Sequence, residues 1–533
     1  MRKALTILTL SILLFAPIAG AQSTYPEERV VLSIDRNVYF SQEVIRFSAA
    51  IQMRDDAWQP SISEVLFTDL VTQDGRIAVR YKSLIIGGRS EGSIFLSEHL
   101  PTGTYLLRAY TQYQSDNNEE QLCYSIITVV NPNLRARHLP AAPDMRSQAA
   151  PKDLVSVRRS ANEIHLERTE PGVRMLSVRL IKGDLALASN VIASSEPIAR
   201  IAHGLGPDEV PDIHGVALHG ELIDKNTGIP ITDTKVIATV IGDYRQLHAD
   251  RTDERGQFNF SLPQTSGIHQ VFVCALRSDK SVDVLIKDEF ASAGGLLEWK
   301  PDSLTMAGHL LDIAFLNHQM CTGLQADWVR PKPSDIARPP HPLNSPTTRV
   351  ETSDYVALTS VSQMLDEIVP MASARKNEGI AYVHVFDPGT KRSYNEPLLM
   401  VDHLPVQDAP TFLKTPIDKV SSVDVFAEEL VIGQEVFQGA VNLNTHAAGA
   451  QSTSLPKNCV VVEYATLTHF EGVNVRPENI NLDICNTLFW SVLNDNTSSI
   501  TIPTKESFTD DYILLITGYT DDGSSYHQTV SLK

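Results

Sequence analysis

Few stretches of this 533-residue chain bring reactive side chains together. Gly88-Arg-Ser-Glu-Gly92 has the G-x-S-x-G spacing that can hold a nucleophilic serine on a strained turn, a use that requires a strand before it and a helix after it. Leu84-Ile-Ile86 reads as the strand, but Ser93-Ile-Phe-Leu96 reads as a second strand. A hairpin loop is therefore the expectation for Ser90, and no local histidine–carboxylate pair can be assigned to it. His214 and His219 stand five apart, and His165 and Glu167 share one strand face; neither spacing makes a zinc site, and the chain has no H-E-x-x-H and no C-x-x-C. Asp521-Asp-Gly523 could attract calcium but reads as a hairpin turn. Gly204-x-Gly206 lacks the rest of a phosphate-binding fingerprint, and Tyr110-Thr-Gln-Tyr113 could stack on a sugar. The expectation is a chain that is not an enzyme, with no catalytic, cofactor-binding or metal-binding residues and no cofactor.

The elements around these candidates are mostly short strands. A formal net charge of −19 without any compensating basic cluster argues against a nucleic-acid partner. Residues 1–21 read as a secretory signal: Arg2 and Lys3, an apolar run from Ala4 to Ala19, and small residues Ala19-Gly-Ala21 at the cleavage site. Gln22 is not the cysteine of a lipoprotein, and no later run is long enough for a membrane helix. The expectation is an exported protein of the periplasm or the outer membrane, at the cell surface in one variant of that reading. Five cysteines, Cys123, Cys274, Cys321, Cys459 and Cys485, are far apart and odd in number. They read as buried small hydrophobes, with one Cys459–Cys485 bridge as the alternative.

The predicted fold class is mainly β, with several β-sandwich domains plus one small α+β domain. Residues 25–132 alternate apolar and polar between turns such as Asp74-Gly75, the pattern of an antiparallel sandwich. Residues 133–152, rich in Pro, Ala and Arg, read as a linker, and 153–212 as a small second sandwich. Residues 214–300 read as a third. Residues 301–349 hold a helix (Leu304, Leu311 and Phe315 at helical spacing) and a proline-rich linker. Ser360-Val-Ser-Gln363 is a capping box opening a helix that ends by Pro370, with Leu365, Ile368 and Val369 facing inward. In 350–450, Leu398–Val401 is a strand, Asp402-His403-Leu404-Pro405 a tight turn, Thr415–Val420 a helical turn, and Gly439–Thr445 a half-buried strand. Residues 456–533 read as a C-terminal sandwich.

Three of these segments resemble known families. Ile34-Asp-Arg-Asn-Val-Tyr39 with Leu100-Pro-Thr-Gly-Thr-Tyr-Leu-Leu-Arg-Ala-Tyr110 is similar to a macroglobulin-type domain of the α2-macroglobulin family. That resemblance implies a sandwich, with Tyr110 and Tyr113 at core and strand-edge positions; the family's reactive Cys-Gly-Glu-Gln is absent. Gly220-Glu-Leu-Ile-Asp224, Thr227-Gly-Ile-Pro230 and Thr252-Asp-Glu-Arg-Gly-Gln-Phe258 resemble the carboxypeptidase regulatory-like domain, a transthyretin-type sandwich. Pro397-Leu-Leu-Met-Val-Asp402, Val420-Ser-Ser-Val-Asp-Val425, Gly433 and Gly439-Ala-Val-Asn-Leu-Asn-Thr445 resemble the plug domain of TonB-dependent outer-membrane receptors, with His403 where that family prefers Gly. The residues after 450 are too few for the receptor's barrel of 22 strands of about 9–11 residues each.

The resemblances together imply a non-catalytic envelope interaction or scaffold protein. Its plug-like domain would dock with an outer-membrane protein or other envelope protein through Asp402, His403, Pro405, Gly433 and Gly439. Two alternatives stand beside it. One is a macroglobulin-like protease trap without a thioester, with 330–350 as bait. The other is a hydrolase of envelope polymers.

Overall fold

The computed structural model describes residues 28–53, 62–115, 122–131, 150–160, 163–169, 172–182, 192–194, 215–241, 246–262, 268–277, 281–291, 345–355, 358–446, 458–465, 486–493, 497–503, 512–520 and 524–532, with a few positions between 312 and 343. The signal-like segment, Cys321, Cys485, His214 and Asp521-Asp-Gly523 lie outside them. The chain is mainly β, built as several small sheets.

The N-terminal sandwich packs a sheet ordered Val38–Phe40, Cys123–Val130, Gly103–Tyr110, Val65–Thr72, Ile77–Leu84 against one ordered Ile192–Ser194, Glu28–Ile34, Val44–Met53, Arg89–Phe95. Leu32, Ile45, Phe47, Leu70, Leu107 and Ile127 fill the space between, as the period-2 alternation requires. Gly92 faces Phe47 across the ladder, and a Cβ there would fall 2.3 Å from the Phe47 ring. The second glycine of the G-x-S-x-G stretch thus makes room for an aromatic side chain. Gly220, on strand Val216–Asp224, does the same for Phe258.

Residues 153–182 and the C-terminal segment, expected as separate sandwiches, share their sheets. Strand Val173–Lys182 lies between Thr487–Leu493 and Tyr512–Thr520, and Glu163–Arg168 lies between Val155–Arg159 and Ser499–Pro503. The physical reason is edge satisfaction. Strand Val173–Lys182 is buried from Met175 to Ile181, and buried backbone groups must find partners on both edges. Leu166, Leu176, Val178, Leu180, Phe489, Ile502, Leu514 and Ile516 form the common core. Even the end of the expected 133–152 linker is paired, Ala150–Pro151 lying parallel to Ser525–Ser531.

A buried polar network joins this composite sandwich to the first one. The Tyr39 hydroxyl donates to Asp35 Oδ1 at 2.8 Å, Thr487 Oγ1 donates to Asp35 Oδ2 at 2.8 Å, and Arg36 pairs with Glu43 at 3.2 Å. Asn486 Nδ2 donates to Glu43 Oε1 at 2.9 Å. Asp35-Arg-Asn-Val-Tyr39, read as a sandwich motif, is therefore also a joint. Asp35 is fully buried and hydrogen-bonded at both oxygens.

Residues 215–291 form another sandwich, three strands (Gln257–Leu262, Val216–Asp224, Val282–Ile286) against four (Gln246–Arg251, Lys235–Ile241, Ile268–Ala275, Cys459–Ala465). The fourth strand arrives from the C-terminal segment. The turn chemistry is as read: Asp253 Oδ1 accepts from Arg255 N and Gln257 N, and Gly256 takes φ +75° with no room for a Cβ beside Leu222 O at 2.8 Å.

Residues 345–446 make a compact mixed unit. Its five-stranded sheet is ordered Thr348–Glu351, Val420–Ile432, Glu435–Thr445, Leu398–Val401, Leu404–Pro405, with Leu398–Val401 parallel to its long neighbour. One face carries helix Val361–Glu367, helix Ala409–Leu413 and a small sheet Ala372–Asn377, Ile380–Asp387, Arg392–Tyr394, through Val361, Met364, Leu365, Val385, Phe412, Val423 and Leu443. Ser360 caps the first helix as expected, its hydroxyl accepting from Gln363 N at 3.1 Å. The other face, with Leu398, Met400, Phe426, Phe437 and Ala440, packs on Ile237, Leu247 and Ala249 of the four-stranded sheet. The result is four stacked layers from strand Val216–Asp224 to helix Val361–Glu367.

Candidate functional site

The five residues singled out from the plug resemblance lie in two places along the joint between the 345–446 unit and the 215–291 sandwich. Asp402 and His403 are the central pair of a two-residue hairpin loop between Val401 and Leu404, with φ +52° and +65°. Two positive φ values are what a type I′ turn demands, and Asp is among the residues that tolerate them. The Asp402 carboxylate is buried and accepts from Thr445 N at 2.8 Å and Thr445 Oγ1 at 2.6 Å, which ties the turn to the last residue of the neighbouring strand. His403 N donates to Asn442 Oδ1 at 2.8 Å, and Thr239 Oγ1 of the 215–291 sandwich reaches His403 O at 3.4 Å. Pro405 is buried in the short edge strand opposite Met400.

A polar row continues across the same sheet face. Asn442 Nδ2 donates to Asn444 Oδ1 at 2.9 Å, and Asn444 Nδ2 to Asp424 Oδ2 at 2.9 Å. Arg349 closes the row with a bidentate pair to Asp424, 2.5 and 2.8 Å. The alternating asparagines of the strand ending at Thr445 thus serve as internal ties.

Gly433 sits at the tip of the long hairpin, at the first central position between Ile432 and Glu435, with φ +60°. A Cβ there would lie 2.3 Å from Ala249 O, so the tip rests against the backbone of the 215–291 sandwich. Beside it Glu435 accepts a bidentate pair from Arg251, 2.8 Å to each oxygen, and Lys235 Nζ approaches at 3.2 Å. The hydrogen bonds from Arg251, then those from Lys235, hold the Glu435 carboxyl below the usual carboxylate range against the opposing effect of burial. Gly439, at φ +75°, lies opposite a bulge where two residues of one strand face one of the other; a Cβ would meet Phe426 O at 2.9 Å. Phe437 before it and Ala440 after it pack into the same cluster, so Gly439 is where the strand re-registers its faces.

Outward, the same hairpin presents Val431 and Val436, a directly opposed pair, 70% and 48% exposed. Sequence reading missed this pair. Its signal was a break in alternation beyond Gly439, with two valines flanking the Ile432-Gly-Gln-Glu435 turn.

The chemical candidates elsewhere have structural surroundings. Ser90 lies on strand Arg89–Phe95, after the Gly87-Gly88 hairpin turn, and its hydroxyl donates to Ser83 Oγ at 2.7 Å. Strand, turn and strand replace the strand, turn and helix that a nucleophile elbow needs. Tyr110 is buried; it donates to Asp69 Oδ2 at 2.9 Å and accepts from Ala291 N at 2.9 Å, a second tie between sandwiches, and Tyr113 is buried as well. His165 Nδ1 lies 3.1 Å from Thr501 Oγ1. Burial, then Lys287, lowers the His219 imidazole from its usual value. Among the described residues no group of three or more His, Cys, Asp or Glu could hold a metal ion, and no helix is long and apolar enough to cross a membrane. Cys123 and Cys274 are buried and Cys459 half-buried, all three as free thiols; Cys459 faces Cys274 across the ladder, while its expected alternative partner, Cys485, lies outside the described residues.

No family model matches the chain, and no curated protein matches it. Among solved structures it is similar to trypsin-activated α2-macroglobulin of Escherichia coli (10% identity, TM-score 0.23, covering 96% of this chain and 42% of that one). It is also similar to native E. coli α2-macroglobulin (11% identity, TM-score 0.24, 97% and 40%) and to dimeric latent PorU of Porphyromonas gingivalis (10% identity, TM-score 0.17, 49% and 34%). The chain spans about two fifths of the length of these macroglobulins. At TM-scores of this size the β-sandwich reading rests on the strand pairings themselves.

Proposed function

We propose that this chain is a non-catalytic scaffold and interaction protein of a Gram-negative cell envelope, and that its plug-like unit docks with an outer-membrane protein. The observation that carries the proposal is the joint. Strand, tight turn and strand follow one another in the mixed unit, which supports the plug resemblance read from the sequence, and its back face is committed to a neighbouring sandwich through Phe426, Phe437, Leu247 and Ala249, with Arg251 clamped on Glu435. A module fastened in this way works as a fixed arm and not as a moving gate. Asp402, His403, Pro405, Gly433 and Gly439 then act by shaping the arm and its joint, and the outward hairpin with Val431 and Val436 is the surface that meets the partner.

The test is recovery of partners from detergent-solubilised envelope membranes with tagged full-length protein and with its Val431→Glu, Val436→Glu double variant. The expected result is an outer-membrane protein retained by the first and lost by the second. Equal recovery by both, or no outer-membrane protein with either, overturns the proposal.

A further inference from the structure

Strands Ile268–Ala275 and Cys459–Ala465 run antiparallel, and their register sets Cys274 opposite Cys459. Directly opposed residues in such a ladder alternate between hydrogen-bonded and non-hydrogen-bonded pairs. Ala275 N donates to Asn458 O at 3.3 Å, which makes Ala275–Asn458 the hydrogen-bonded kind. The next pair, Cys274–Cys459, is then non-hydrogen-bonded, where Cα atoms stand about 4.5 Å apart and side chains come closest. That separation falls inside the span of about 4.4–6.8 Å that a disulfide bridges. Both side chains point to the same side of the sheet, into the joint, where they pack with Phe272, Leu404 and Val461. Gln407 Nε2 lies 4.0 Å from each sulfur, so the amide sits against the pair. Two cysteines some 180 residues apart in sequence meet at one position of one ladder.

We propose that Cys274 and Cys459 form a cross-strand disulfide that staples the C-terminal strand onto the regulatory-like sandwich and encloses the whole 345–446 unit in one covalent loop. In the reaction one cysteine thiolate attacks a sulfur of a disulfide-bearing oxidant, either a thiol–disulfide oxidoreductase or glutathione disulfide. A mixed disulfide forms and one oxidant thiol leaves. The second cysteine thiolate then displaces the remaining oxidant thiol. Cys274 and Cys459 lose two electrons and two protons, and the oxidant disulfide is reduced to two thiols. In the folded chain the thiol contact with Cys274, then burial, hold Cys459 well above the ordinary thiol range. The Cys459 thiolate is therefore disfavoured once the ladder has closed. The staple keeps the sheet that receives the plug-like unit at four strands.

The experiment refolds the reduced full-length chain in a glutathione redox buffer, blocks remaining thiols with N-ethylmaleimide in denaturant, and digests with trypsin and a Glu-specific protease. Cys274 then lies in peptide 256–277 and Cys459 in 458–463, separate from Cys485. The expected result is the 256–277/458–463 linked peptide, with neither cysteine alkylated. Reduction should lower Tm by about 5 °C or more, a drop that the Cys274→Ala, Cys459→Ala variant does not show. Alkylation of both cysteines, a Cys459–Cys485 peptide, or an equal Tm drop in the variant overturns the proposal. If the variant does not fold, the peptide map decides alone.

Discussion

Replacing Gly433 by alanine probes the joint with a single methyl group. The residue holds φ +60°, which costs an L side chain about 1–2 kcal/mol. The new Cβ would sit 2.3 Å from Ala249 O, a backbone atom that cannot rotate away. The hairpin tip must lift by roughly 1 Å to restore van der Waals separation. Lifting strains the bidentate Arg251–Glu435 pair, which contributes about 0.5–1 kcal/mol given that the Arg251 side chain is 40% exposed. It also loosens Ile432 and Phe437 on Leu247 and Ala249, for about 1 kcal/mol more. The expected loss is about 2.5–4 kcal/mol, concentrated in the joint. Gly228→Ala is the control, because Gly228 has a similar φ of +70° and nothing within 4 Å of its Cβ position, so that it bears the backbone cost alone. Hydrogen exchange over 246–251 and 430–437 reads the opening free energy directly. If Gly433→Ala and Gly228→Ala weaken their surroundings by equal amounts and exchange at 246–251 stays unchanged, the hairpin tip does not bear on the sandwich and the reasoning fails.

Glu435 gives the joint a pH dependence with a definite sign. Its folded-state value is held below the usual carboxylate range, so its contribution is fully present above about pH 4.3 and is lost as pH falls through the lower folded value. Protection factors over 246–251, with intrinsic exchange rates divided out, should fall as pH drops below the usual carboxylate range in the wild type, and Glu435→Gln should remove that step; an unchanged profile in the variant contradicts the assignment. Asp402→Ala leaves Thr445 N without its buried acceptor and should cost about 2–4 kcal/mol in denaturant titration, whereas a loss below about 0.5 kcal/mol would mean that the turn is not tied to the sheet.

Local features of this fold were legible in the sequence because local chemistry fixes them. The Ser360 cap, the Asp253-x-x-Gly256 turn and the Asp402-His403 turn each depend on residues within a few positions of one another. Helix Ala409–Leu413 escaped notice even though Asp408 caps it, accepting from Thr411 N at 2.7 Å, and Pro410 stands in its first turn. The small sheet from Ala372 to Tyr394 escaped because its first strand ends in exposed Arg375, Lys376 and Asn377, which blur the alternation. Strand partners were beyond reach for a different reason. Val173–Lys182 could pair with any apolar strand, and its choice of Thr487–Leu493 and Tyr512–Thr520 is decided by which edges remain once the sandwiches assemble. The site shows the same division. Gly433 was read as a docking residue, but its Cβ position presses on Ala249 O, in a segment some 180 residues earlier that no local pattern announces.

The most direct measurement of the central claim is photo-cross-linking in intact envelopes, with a photoreactive residue placed singly at Val436 and at Leu247. The Val436 probe should give an adduct with an outer-membrane protein, and Leu247, inside the joint, only intrachain products. An outer-membrane adduct from Leu247, or none from Val436, would contradict it.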